Sequence, residues 1–479
     1  MEKRLLDRLL LFFIISLLVI DTGYTFFQHV GKELDGDLVA IVTYAEQYDG
    51  LQNDPFGWKV LTENASYGGV NRYFVHWYIS TYFKTVPFFL QQFVSPIDSL
   101  YIASGISKTL IHLMLIVLLA MMISGTKTIR NKRFWYAALI LVPLFQSGGH
   151  FYKYFSFVDQ SFTYSSFYAL PMALFLLFFK PYHDVLIHQR KSMSLWMKGM
   201  LLVLIVVLPF SGPLIPGIVL VIAALFLSNV FQDYWKGREI YLFDQTSTFL
   251  RYAFYALVVL SLYSIYLGQF NAENETTSLS LIERYVRLPI GLYYLFTQKL
   301  AYPILFLLLG INIYLLKKQN TAAPQFFRVF QWLSLFTLLY LLLLPLGGFR
   351  GYRPNIIRKD TFLPIALCLT YLYAYSTYCL FQHGVFKYRK AYAMVIGLFS
   401  LIFLYADEPG LERYECQRSS LEDLSKSSKE LTLLRSDCTI LTWYPVKHPE
   451  ESPRISKMLK YWNVLDEEKR FYQPEYSVK

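Results

Sequence analysis

Charged residues are scarce. Asp, Glu, Lys and Arg make up 16% of the 479 positions, where a soluble chain of this length uses roughly 25% to cover its surface. That deficit excludes a soluble globular protein. Cysteine is scarce too, with four in the chain. No Cys-x-x-Cys pair and no His-Glu-x-x-His stretch occurs, so the common metal-ligand spacings are missing. No signal-peptide cleavage pattern stands at the start. Met1-Glu2-Lys3-Arg4 leads into an apolar run carrying Asp7 and Arg8, with no small-residue cleavage site after it, so the segment reads as a retained membrane anchor. Internal repeats and low-complexity tracts are lacking as well.

What the chain has is apolar surface in long blocks. Hydrophobic residues reach 55% and aromatics 18%, with a mean hydropathy of +0.35. Aromatic richness suits interfacial belts, and the blocks meet the roughly 17–25 residues a helix needs to cross a bilayer. The fold class is therefore an all-α polytopic membrane protein with about eleven transmembrane helices. The expected spans lie near 8–27, 101–124, 134–148, 163–179, 197–211, 214–230, 250–268, 297–316, 329–346, 361–381 and 391–406.

Lys and Arg placement sets the expected orientation. With the N-terminus inside, every inner segment carries at least three cations, such as Lys127, Arg130, Lys132 and Arg133. The short outer loops after the third and fifth spans carry Lys153 and none. The net charge of +11 is then mostly topology signal and calls for no nucleic-acid partner. An odd span count sends the C-terminus to the extracytoplasmic side. The chain divides into a multi-pass domain, 1–406, and a C-terminal extracytoplasmic tail, 407–479. A long first outer loop covers 28–100 and a shorter one 269–296. Chemistry is expected on that outer face, and a bacterial inner (plasma) membrane is the expected location. In an oxidising compartment Cys416 and Cys438, both in the tail, can pair; Cys368 and Cys379 read as small core residues within a span.

Three stretches carry candidate chemistry. Glu33-Leu34-Asp35-Gly36-Asp37 opens the first outer loop. Clustered carboxylates at a low-dielectric boundary can have raised pKa values and serve as a general base; the plainer reading is a solvated turn. Further on, Tyr67 to Tyr78 is aromatic and amphipathic, and reads as an interfacial helix. Arg72 and His76, four apart, share a face and either line a phosphate or sugar pocket or anchor the helix by snorkelling. The third stretch, Gly347 to Asp360, holds Arg350, Tyr352, Arg353, Arg358 and Lys359. Its four cations oppose the positive-inside pattern. Arginine forks bind phosphate oxygens, so a lipid-linked phosphate, ordinary anionic headgroups or tail acids are the expected partners. Arg284 and Arg287 can add to the same field. His150, Lys153 and Asp159, after the third span, are lesser candidates.

An N-terminal membrane helix, a first outer loop opening on an acidic motif, a many-helix body, a late basic outer loop and a C-terminal outer domain together resemble the GT-C superfamily of integral membrane glycosyltransferases. The resemblance covers the layout of nearly the whole chain; at residue level it rests on Asp35-Gly36-Asp37 and the basic loop. It implies sugar transfer from a polyprenyl-phosphate donor to a glycan, lipid or protein acceptor hydroxyl, with an acidic residue of the first outer loop as base. Carried onto this sequence, Asp37 is the first choice and Asp35 a helper. Members of the superfamily often show adjacent acids here, whereas Gly36 separates them in this chain, so which one acts stays open. Arg350, Tyr352, Arg353, Arg358, Lys359, Arg72, His76 and His150 are the expected substrate contacts. No cofactor is required, a divalent metal is compatible, and membrane lipid is the remaining partner. Two other classes fit the same layout: a polysaccharide polymerase or ligase, and a transporter or flippase of lipid-linked saccharides. A transporter would place charge inside its spans, and here Lys108 is the exception in spans nearly free of charge.

Overall fold

A computed structural model describes residues 2–145, 156–190, 192–236, 245–274, 279–298, 300–319, 324–347, 355–383, 388–407 and 409–474. The chain is helical almost throughout, as its uninterrupted apolar blocks dictate. Eight helices among the described residues are long and apolar enough to cross a membrane: Arg4–Val30, Pro96–Ser124, Phe162–Leu186, Ile215–Trp235, Thr248–Gly268, Ala301–Lys318, Pro324–Gly347 and Lys359–Gln382. The three other expected spans fall on shorter elements: Lys132–Leu141 with its 3-10 extension Val142–Leu144, Leu195–Phe210, and Arg389–Tyr405.

Burial separates the helices by role. The Lys359–Gln382 helix has 94% of its apolar window inside the molecule, the Arg4–Val30 helix 17%. The first is the central post; the second stands at the edge and turns Leu5, Leu6, Phe12 and Phe13 outward. Such exposed apolar side chains are what a lipid-facing surface consists of. An unpaired polar group in hydrocarbon is costly, and one polar network within the bundle pairs its members with each other. Asn312 donates to Ser376 Oγ and Thr377 Oγ1, each at 2.9 Å, and accepts from Tyr392 OH at 2.8 Å. That network ties the helices Ala301–Gln319, Lys359–His383 and Arg389–Tyr405 together.

The C-terminal segment does not stand apart from the first long loop. Leu34, Leu38, Val42, Ile79, Phe83 and Leu100 share one hydrophobic core with Leu421, Leu424, Ile440, Leu459, Trp462 and Phe471. Trp462 is fully buried and its indole N–H donates to the Phe83 carbonyl at 2.8 Å. The only strands among the described residues, Leu431–Leu433 and Arg470–Tyr472, pair in parallel within this cap. Cys416 and Cys438 are joined as a disulfide with Cα atoms 6.0 Å apart. The cap sits at the end of the first helix, where Gln28 Nε2 donates to the Asp407 carbonyl at 3.1 Å and the Lys32 ammonium to that of Pro409.

Two segments differ from the expected loops. Tyr73–Leu90 is an 18-residue helix, with Arg72 at its N-cap; this is the aromatic stretch read as interfacial, extended by three turns. Leu281–Gln298, which begins in the expected loop 269–296 and ends just past it, is also an 18-residue helix. Its Leu281, Ile282, Val286 and Tyr293 are exposed while Gly291 packs on Ile357, an arrangement suited to lying along an interface.

Candidate functional site

The acidic motif lies where the cap meets the membrane body. Its two aspartates have different surroundings. Asp35 is 4% exposed and saturated with donors. Its Oδ2 accepts from Ser161 Oγ at 2.9 Å and Thr163 N at 3.0 Å, and its Oδ1 from Thr163 Oγ1 at 2.7 Å and Asp37 N at 3.2 Å. Ser161 is the N-cap of the helix that begins at Phe162, so Asp35 also receives the favourable field of a helix N-terminus. Asp37 opens the short helix Asp37–Val42 and is half-buried. Its Oδ1 accepts from Trp443 Nε1 at 2.8 Å.

Gly36 between them has a physical reason. A Cβ there would lie 2.5 Å from Trp443 N and 2.6 Å from the Thr442 carbonyl carbon. Only a glycine lets the 442–443 backbone come this close, and that approach delivers Trp443 to Asp37. Gln417 fixes the same junction: it accepts from Leu34 N at 2.8 Å and Tyr101 OH at 2.9 Å, and donates to Leu34 O and Thr439 O.

Cations approach from two directions. Arg413 pairs with Glu33 at 3.1 Å. From the late basic loop, Lys359 pairs with Asp159 at 3.0 Å; Asp159 accepts from Ser161 N at 2.9 Å, and Ser161 holds Asp35. A continuous polar path therefore runs from Asp35 to Lys359. Lys32 is buried, and burial holds its ammonium below the usual lysine value; Asp407 and Glu33 oppose the shift and Lys359 adds to it. Below lies Lys108, fully buried, donating to the Gln160 carbonyl at 3.0 Å. A cavity of about 120 Å³ opens among Lys32, Glu33, Asp35, Ser161, Arg413 and Trp443. Trp443 and Tyr414 are its aromatic lining residues, and Tyr164 stands edge-on to Trp443 with ring centroids 5.8 Å apart.

The other expected site residues fall out as follows. Arg358 pairs with neighbouring Asp360. Arg350, Tyr352, Arg353 and His150 lie outside the described residues. Arg72 and His76 gather at a separate cluster: Arg72 pairs with Glu273 at 3.5 Å, and Tyr48 OH donates to Glu273 at 2.6 Å. His76 is 2% exposed, packed between Tyr48 and Phe167 with centroids 4.7 and 5.2 Å away. Its Nε2 faces Gly69, where a Cβ would lie 2.8 Å off and φ is +71°. Burial pushes the His76 imidazolium down to about 3, so the ring is neutral near pH 7 and offers no charge to a phosphate. It does not line the cavity beside Asp35.

Ser161, Thr163, Trp443, Gln417, Arg413 and Lys32 were not singled out from the sequence. Asp159-Gln-Ser161-Phe-Thr163 ahead of an apolar run carries an N-cap signal, which locates the helix start but not its partner 126 residues earlier. Nothing local marks Trp443. No protein-family model, curated protein or solved structure matches the chain.

Proposed function

We propose that the chain is a membrane glycosyltransferase of GT-C type that moves a sugar from a lipid-linked phosphate to an acceptor hydroxyl on the cap side, taken as extracytoplasmic. The observation that carries this reading is that three distant stretches are tied together by hydrogen bonds and an ion pair beside one small cavity, which Asp35, Lys32 and Trp443 line. Asp35 and Asp37 come from the start of the chain, Lys359 from the late basic loop through Asp159 and Ser161, and Trp443 from the C-terminal cap.

In this scheme Asp37 is the base. Asp35 is buried with four hydrogen bonds on its carboxylate and acts as the positioning group, while Asp37 is half-buried and accepts from the Trp443 indole N–H. The acceptor hydroxyl gives its proton to Asp37 as its oxygen attacks the anomeric carbon. The bond from that carbon to the phosphate oxygen breaks, configuration inverts, and the lipid phosphate leaves with the electron pair. Lys32, Lys359 and the arginines of the basic loop stabilise the added charge. Trp443 and Tyr164 offer aromatic faces against which an apolar sugar face can rest. A cavity of about 120 Å³ is small beside the roughly 300–1,000 Å³ of small-molecule sites, so a donor sugar enters only if the walls part.

The test is direct. The purified chain in lipid nanodiscs is incubated with radiolabelled polyprenyl-monophosphate hexoses and pentoses and an acceptor glycan or water. Release of free polyprenyl phosphate that is lost in Asp37→Asn is the expected result. Saturable donor binding without turnover of any donor would instead favour a carrier.

A further inference from the structure

About 30 Å from this site, counting 20 residues at ~1.5 Å along the helix from Thr163 to His183, a second polar cluster occupies the opposite end of the same helix. His183, Asp184 and His188 each offer one ligand atom, and these atoms all lie within 4.8 Å of one another. The local backbone brings them together. The helix ends at Leu186, Gln189 adopts a left-handed conformation with φ +54°, and Arg190 N folds back onto the Asp184 carbonyl at 3.0 Å. The His188 ring is thereby returned to the His183 ring, with centroids 5.1 Å apart.

Each ligand is held from behind. His188 Nε2 sits 2.8 Å from the Met122 carbonyl. A carbonyl only accepts, so Nε2 carries the proton and Nδ1 keeps its lone pair. His183 Nε2 bonds Tyr371 OH at 2.7 Å, and Lys180 Nζ bonds Asp184 Oδ2 at 2.6 Å. The opposite atoms, His183 Nδ1 and Asp184 Oδ1, are buried and have no hydrogen-bond partner among the described residues. Unpartnered buried polar atoms are costly, and two of them in one cluster, on side chains whose other polar atom is pinned, is the pattern of metal ligands backed by outer hydrogen bonds.

We propose that His183, Asp184 and His188 form a site for a zinc-class divalent transition metal. Two imidazoles and a carboxylate suit zinc and disfavour magnesium, which prefers oxygen ligands. Three protein ligands leave a fourth position open. Lys180 and Arg190 add positive charge beside the site, which selects an anionic fourth ligand: hydroxide, since zinc brings bound water to a pKa of about 7. His183, alone of the three, also lines a largely apolar cavity of about 620 Å³ between the helices, a volume within the range of small-molecule sites.

The full chain, purified in detergent, is stripped with chelator, dialysed against zinc chloride, desalted and analysed for metal. About one zinc per chain is expected, a single three-ligand site, with none retained when magnesium chloride is used alone. Asp184→Asn and His188→Gln should each weaken zinc affinity by at least about tenfold while eluting as monodisperse protein. His448→Ala, an exposed histidine of the cap, should not. Wild-type protein that retains no zinc, or zinc content unchanged in both ligand variants, would overturn the site. Neither result depends on sugar transfer, so the two proposals fail separately.

Discussion

Asp35 and Asp37 are two positions apart and do different work. Four hydrogen bonds converge on Asp35, and an amide in its place would turn an NH2 group toward donors. Asp35→Asn is expected to destabilise the chain by about 2 kcal/mol or more, seen as a lower midpoint in thermal unfolding monitored by Trp fluorescence. Asp37 is half-buried at the start of a short helix and an asparagine oxygen can still accept from Trp443 Nε1, so Asp37→Asn should leave that midpoint nearly unmoved. Trp443→Phe keeps an aromatic face but removes the N–H that orients Asp37. It should slow transfer about tenfold, the value of roughly one hydrogen bond, with unchanged donor binding; equal rates would remove the orienting role. At this scale the acids were legible in the sequence because their clustering at a membrane boundary is local. Their partners were not, because Ser161, Thr163 and Trp443 are joined to them by tertiary contacts alone. The spacing of Arg72 and His76 suggested a shared face, and the two do gather at one cluster, but it lies apart from the acidic motif and His76 is buried there against Tyr48 and Phe167.

Among the elements, the cap is held by a few identifiable ties. Arg418 spans from the tail to Asp98, near the start of the Pro96–Ser124 helix, at 2.8 Å. Arg418, with Ser95 assisting, holds the Asp98 carboxyl below the usual carboxylate range. A lowered folded pKa means stability present above the unfolded value of about 4 and lost as pH falls through the folded one. The unfolding midpoint of wild type should therefore drop below about pH 4 more steeply than that of Asp98→Asn. Both side chains are about a third exposed, so the pair is worth about 1 kcal/mol or less. The disulfide closes a 22-residue separation; a Cys416→Ser, Cys438→Ser double variant should lose about 3 kcal/mol by the loop-entropy account, measured by denaturant titration of cap fluorescence. Helices were legible as apolar blocks: eight of the expected spans coincide with helices long and apolar enough to cross a membrane, and the other three fall on shorter helical elements among the described residues. Length was less legible where polar or proline residues interrupt a block, as at Pro143 and Pro209. The Leu281–Gln298 helix was missed because its two-sided polarity lacks a spanning signal.

At the scale of the whole molecule, the chain is a helical body with a compound cap. The first long loop and the tail are separated by more than three hundred residues in sequence yet bury a common core. That forces both onto the same face. The loading of Lys and Arg on the other set of loops predicts that this face is extracytoplasmic. A membrane-impermeant maleimide should label a single cysteine placed at Tyr444 in intact cells, and one placed at Arg130 only after lysis; the reverse pattern would invert the topology. Polar groups inside the body, such as the Asn312 network, were invisible in composition because they are individually ordinary residues that matter through their partners.

The central claim, that Asp37 is the base of a sugar transfer, is tested most directly by the single-turnover rate of Asp37→Asn with a donor that wild type consumes. Loss of about 10²–10⁴-fold in rate, with donor affinity and unfolding midpoint preserved, is the predicted result. A rate within twofold of wild type would contradict it.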